Sequence, residues 1–117
     1  MKNSRISDEF IATSNGYIRA IRWHELDKNT LIYVDESLRE EFLKRVNADD
    51  KVQVVDYRIK NQQCWPKTKT AEMTVEWDYY IPPSVTVKTF KDDQKWRYVE
   101  DDTRHVWLLT TLLPELK

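Results

Sequence analysis

The sequence predicts an α+β domain in which helices come first and a four-stranded antiparallel sheet follows. Three observations carry this prediction. Apolar residues in the first half recur at helical spacing, as in Ile6, Phe10, Tyr17, Ile18 and Ile21. The second half holds four long, aromatic-rich segments of strand character: VQVVDYRIKN, TAEMTVEWDYY, SVTVKTFKDDQKWRYVE and HVWLLTTLL. The links between them are short, which suits hairpins rather than parallel crossovers.

The first helix is expected from about Ser7 to Trp23. Gly16 inside it costs up to about 1 kcal/mol against alanine, as a close packing point or as a weak spot. After a bend near His24, Leu26, Leu31, Ile32 and Val34 suggest a short second helix. Ser37 starts a third, with Glu40 at capping-box spacing and Leu38, Phe42 and Val46 as its buried stripe. The helices thus span about residues 7–46, two or three in number, and the strands about 51–113.

The first strand is expected over Val52–Asn61, with Val55, Tyr57 and Ile59 on one face, and QQCWPK is read as a loop. The second shows period two: Ala71, Met73, Val75, Trp77 and Tyr79 alternate with a mostly acidic set. Pro82-Pro83 ends it, because neither proline donates to a ladder. The third, Ser84–Val99, carries Val85 and Val87 on one parity and Phe90, Trp96 and Tyr98 on the other. A bulge or sharp bend near Lys91 to Lys95 would bring both sets to one face. The last strand is apolar on both parities, which predicts burial on both faces. A two-residue turn at Asp101-Asp102 would set Trp96 near Trp107 and Tyr98 near His105. The single glycine, Gly16, is not in a turn, so the hairpins rely on Pro82-Pro83 and on Glu100 to Thr103.

Composition bounds the function. At 117 residues the chain is one domain, long enough to bury a core. Nineteen basic and 20 acidic side chains leave a formal net charge of −1, so no cationic excess exists to neutralise nucleic-acid phosphates. No run of about 18 apolar residues marks a transmembrane helix. The one cysteine, Cys64, excludes an internal disulfide. Two histidines far apart in sequence, without carboxylates or thiols at ligand spacing, give no metal centre, and no cofactor motif is present.

The segments YIRAIRWHELDKNTLIYVDES and QKWRYVEDDTRHVWLL resemble the helix–bend–helix and the closing tryptophan hairpin of the NTF2-like (cystatin-like, cone-shaped α+β) superfamily. More narrowly, VVDYRI, TVEWDYYIPPSVTVKTFKDDQKWRY and the final W-LL segment look like small bacterial lipoproteins with an NTF2-like domain. The resemblance implies a strongly bent sheet enclosing a cone. It also implies a periplasmic or lipid-anchored envelope location if a signal segment is removed upstream, and a cytoplasmic one otherwise. Homodimerisation through the sheet is a further implication, with Val106, Leu108 and Leu112 as candidates.

Some members of this superfamily are isomerases, dehydratases or hydrolases that tune an Asp, His or Tyr by burial in an apolar cavity. The corresponding groups here are Asp56, Tyr57, Asp78, Tyr80, Asp92, Tyr98 and His105. Asp56 and Asp78 lie opposite the apolar parity and read as solvated carboxylates. Asp92 shares the parity of Phe90 and Trp96. It reads first as a turned-out bulge residue and second as a base aimed into the cone. Tyr57 and Tyr98 read as core aromatics, and His105 beside Tyr98 is the leading acid–base candidate. The catalytic set to test is therefore His105, Asp92 and Tyr98. Trp77, Phe90, Trp96 and Trp107 are expected to line the cone. Trp65, in the proline-containing loop, is expected to be exposed as a contact for a ligand or partner. His24 reads as a packing or capping residue and Cys64 as a loop thiol. The leading expectation is a non-catalytic accessory or interaction module. The alternatives are an isomerase- or dehydratase-type enzyme and a binder of a small apolar ligand.

Overall fold

The computed structural model describes residues 2–23, 30–48 and 51–113. In chain order these form α1 (Lys2–Arg22), 3-10 turns at Thr30–Tyr33 and Glu36–Leu38, and α2 (Arg39–Ala48). Strands β1 (Gln53–Trp65), β2 (Thr70–Tyr80), β3 (Lys88–Glu100) and β4 (His105–Leu109) follow. The fold is α+β, with a four-stranded antiparallel sheet in the order β1-β2-β3-β4 that does not close on itself. The consecutive hairpin order is the one that the short links predict.

Helix α1 forms because its apolar residues fall on one stripe, and Ile6, Phe10, Tyr17, Ile18 and Ile21 are all buried. Arg19 and Arg22 in its last turn suit the negative end of the helix dipole. The polar break in the stripe, Ser14, is buried but satisfied: its hydroxyl donates to the Ile11 carbonyl and accepts from Gln62 Nε2. Gly16 is the close packing point, since a Cβ there would stand 2.8 Å from the Tyr33 hydroxyl oxygen. Gly16→Ala alone is therefore expected to forfeit the roughly 1 kcal/mol that alanine gains in a helix. With Tyr33→Phe in the background, the next atom is 3.4 Å away and the gain should reappear. Urea unfolding of the four variants measures this, and equal gains in both backgrounds would refute the contact.

The short second helix expected from Leu31, Ile32 and Val34 is a 3-10 turn. Beyond it Val34 forms an isolated parallel bridge to Leu109, and Asp35 N–H donates to the Leu109 carbonyl. His24 and Leu26 lie outside the described residues. The cap before α2 is Asp35, not Ser37: its carboxylate accepts from the Ser37 amide and hydroxyl. Phe42 is fully buried, with Leu38 and Val46 packed beside it, as the stripe predicts.

Strand β2 buries Ala71, Met73, Val75, Trp77 and Tyr79, the alternation read in the sequence. Strand β3 departs from its expectation. Its pairing with β2 runs without interruption from Lys88 to Arg97, so no bulge occurs near Lys91 to Lys95. Val85 and Val87 precede the strand and are exposed, Val85 by 88%. The even parity of β3 (Phe90, Asp92, Gln94, Trp96, Tyr98) simply faces the core throughout. The irregularities lie instead in edge strand β1, between Val54 and Asp56 and between Ile59 and Asn61, where extra residues bend the chain.

Strand β1 runs on to Trp65, so QQCW is strand, and the tight connection is Pro66 to Lys69. The last hairpin is also longer than expected. Asp101 Oδ1 accepts from the Thr103 and Arg104 amides, and a four-residue loop results. Pairing shifts by two residues, giving Trp96 opposite Leu109, Tyr98 opposite Trp107 and Glu100 opposite His105. A shift of two keeps every side chain on its predicted face. Trp107, Leu108 and Leu109 are all buried, which bears out burial on both faces of β4. Leu108 is thus covered within one chain and Leu112 packs on the core, which removes two of the three residues considered for a sheet-mediated dimer.

Candidate functional site

The inner face of the sheet is built in cross-strand rows: Tyr57–Trp77–Phe90, Ile59–Val75–Asp92, Gln62–Met73–Gln94 and Cys64–Ala71–Trp96–Leu109. Helix α1 covers part of this face. Phe10 lies 5.1 Å from the Trp107 ring and 6.0 Å from Trp96, and Tyr17 meets Trp96 edge-on at 5.6 Å. Trp107 Nε1–H donates to the Ile6 carbonyl at 3.0 Å, which ties β4 to the start of α1. Trp77, Trp96 and Trp107 are buried, and Phe90 is half-buried, stacked on Trp77. The four aromatics expected to share one face do so, and all four pack against core residues.

Within this apolar face sits a polar chain. Trp77 Nε1–H donates to Asp92 Oδ2 at 3.2 Å, and Gln94 Nε2–H donates to the same oxygen at 2.8 Å. Gln94 Oε1 accepts from Trp96 Nε1–H at 3.0 Å. Asp92 is only 2% exposed and points into the core rather than out of a bulge, because β3 has none. Burial pushes its carboxyl above the usual range, and the Gln94 and Trp77 donors offset part of that rise. Across from it, burial and then the Asp92 charge push the Tyr17 phenol well up. The Tyr17 hydroxyl is buried and finds no hydrogen-bond partner among the described residues. Tyr17 and Gln94 were not legible as part of such a group. The available signal was the even parity running from Phe90 to Tyr98, which a straight strand would have carried through Asp92 and Gln94.

The other candidates lie elsewhere. His105 is about half exposed, at 52%, and its Nδ1 lies 3.8 Å from Glu100, not beside the Tyr98 hydroxyl. Tyr98 is buried and donates to Glu9 Oε2 at 3.3 Å. Desolvation and the Glu9 charge raise its phenol. His105, Asp92 and Tyr98 therefore do not converge. Asp78 is the anchor of an outer-face ion cluster. It takes two Arg58 hydrogen bonds at 2.8 and 2.9 Å and one from Thr89 at 2.6 Å, which hold its carboxyl down at about 2. Arg58 also reaches Glu76, and its positive charge offsets the repulsion between the directly opposed Asp56 and Asp78. Asp56 is exposed, as expected, and accepts from the Tyr57 amide. Tyr57 is not a core residue but 37% exposed, on a strand at the edge of the sheet that no strand among the described residues pairs on its far side. Cys64 is a strand residue rather than a loop thiol. It lies 3.8 Å from the Ser7 hydroxyl, and burial pushes its thiol up, away from reactivity.

Among the described residues no three His, Cys, Asp or Glu side chains gather to hold a metal ion, and no helix is long and apolar enough to cross a membrane. Trp65 ends β1 on the outer face, 42% exposed, beside a cleft of about 310 Å³. Compared with known proteins, the chain matches no family model and no curated sequence.

Proposed function

We propose that the chain is a non-catalytic, NTF2-like accessory module of a bacterial envelope protein. One observation carries the non-catalytic part: the acid–base candidates are dispersed and none of them contacts another. His105 faces water and Glu100, Tyr98 is bonded to Glu9, and Asp92 is bound by two donors inside the core. A general base needs a free lone pair within reach of a substrate proton, and a nucleophile–base–orienter set needs mutual contact. The inner aromatics are spent on packing, which leaves this face as core rather than as a binding wall. The envelope assignment rests on the resemblance of the VVDYRI, TVEWDYY and W-LL segments to small lipoproteins.

The test is turnover of a panel of enolisable ketones and β-hydroxy carbonyl compounds, with native mass spectrometry of freshly purified protein. The expected result is no turnover above buffer and a bare 14.2 kDa chain. Turnover that disappears in Asp92→Asn or His105→Ala would overturn the reading, and a co-purifying apolar mass would replace it with ligand carriage. One observation favours the enzyme as a second reading: Asp92 is a buried carboxyl with a raised pKa, close enough to Tyr17 for its charge to raise the phenol.

A further inference from the structure

We propose that the outer-face cleft beside Trp65 binds a neutral, hydroxyl-bearing ring of the size of one pyranose, stacked on the indole and hydrogen-bonded by Glu72 and Lys95. The cleft is formed by two adjacent cross-strand rows. One is Trp65–Thr70–Arg97, and the other is Glu72–Lys95, extended by Thr110 through its bonds to the Lys95 carbonyl. Its volume of about 310 Å³ lies at the lower end of the range for small-molecule sites, room for a single ring. Trp65 stands at the rim with 42% of its surface in water, where a flat ring can cover it. The indole face carries negative quadrupole charge, so it favours the polarised C–H face of a sugar ring.

The polar groups select a neutral partner. Arg97 is held by Asp35, whose carboxylate also caps the turn before α2, so this wall is fixed and its charge is balanced. Lys95 stands opposite Glu72, its register partner in β2. The lining thus holds two cations, Lys95 and Arg97, and one carboxylate, Glu72; Asp35 binds Arg97 from outside the lining, so each cation already has a carboxylate bound to it or opposite it. Glu72 and Lys95 stand opposite each other, yet their side chains make no ion pair or hydrogen bond among the described residues. An unspent acceptor facing an unspent donor fits hydroxyl groups, each of which both donates and accepts. The hydroxyls of Thr110 and Thr70 are engaged, with the Lys95 carbonyl and with Thr68, and serve as walls.

The experiment is a ¹H–¹⁵N titration of the intact chain with methyl glucoside, methyl galactoside, glucuronate and inorganic phosphate. Expected is a saturable shift of the Trp65 indole N–H and of the Thr70–Glu72 and Lys95–Arg97 amides with a methyl pyranoside, with a dissociation constant on the order of millimolar. Trp65→Ala should abolish it, and Glu72→Ala and Lys95→Ala should each weaken it about tenfold. The latter two side chains are exposed on the outer face, so they keep the test sound if Trp65→Ala disturbs the hairpin. No saturable shift with either pyranoside would overturn the proposal. So would shifts with glucuronate or phosphate alone, or shifts that survive both Glu72→Ala and Lys95→Ala.

Discussion

Trp107→Ala is expected to lower the unfolding free energy by about 3–5 kcal/mol, near the whole stability of a small domain at the lower end of its usual range. Trp107 is fully buried and joins three elements at once. Its ring touches Phe10 of α1 at 5.1 Å and Tyr98 of β3 at 5.3 Å, and its N–H holds the Ile6 carbonyl at 3.0 Å. Deleting it removes the apolar transfer contribution and leaves a cavity between a helix and the sheet, which neither side can collapse to fill. Trp107→Phe separates these contributions, because it keeps much of the packing and loses the hydrogen bond, at a cost of about 1–2 kcal/mol. Urea unfolding followed by far-ultraviolet circular dichroism gives both values. A loss below about 1 kcal/mol for the alanine variant would mean that α1 is not anchored through this residue.

That anchoring was partly readable from the chain, and the division is instructive. The stripe of α1 and the alternation of β2 were legible because each follows one period with its apolar set unbroken. The faces of Trp77, Phe90, Trp96 and Trp107 followed from parity alone. Strand β3 was misread where polar residues enter the buried parity. Asp92 and Gln94 look solvent-facing until the neighbouring indole donors of Trp77 and Trp96 are in place, and those lie on β2 and on β3 itself. Parity records which face a side chain takes, not whether that face can satisfy it. The same limit hid the closing register. The Asp101 side chain captures two amides and lengthens the loop, a local bond that the strand pattern cannot report. The outer-face cleft was legible only through exposed Trp65. Thr70, Glu72, Lys95 and Arg97 are ordinary outward residues until the register lines them up.

The second large effect is a change of sign at Asp92. Asp92→Asn is expected to stabilise the protein near neutral pH by about 1–3 kcal/mol, whereas Asp92→Leu should destabilise it by a similar amount. The asparagine carbonyl still accepts from Trp77 and Gln94, but no ionised group remains to be desolvated. Leucine is also uncharged, but it orphans both donors in an apolar layer. The pH dependence identifies the cause. Because the folded pKa of Asp92 is raised, the folded state binds more protons than the unfolded state between the ordinary carboxylate value and the folded one. Wild-type stability therefore falls as pH rises through that window. The advantage of Asp92→Asn is largest above the window and closes as pH drops to the ordinary value. Asp35, Asp78 and Asp101 are shifted the opposite way, and they titrate alike in both proteins, so they cancel from the difference. Tyr17 loses the Asp92 contribution to its raised pKa in Asp92→Asn, but burial alone keeps its phenol far above this window, so it does not enter the difference. Unfolding free energies of the two proteins measured across this range decide it. A difference that does not vary with pH would show that Asp92 is not held ionised against its burial, and that the Trp77–Asp92–Gln94 chain acts through hydrogen bonds alone.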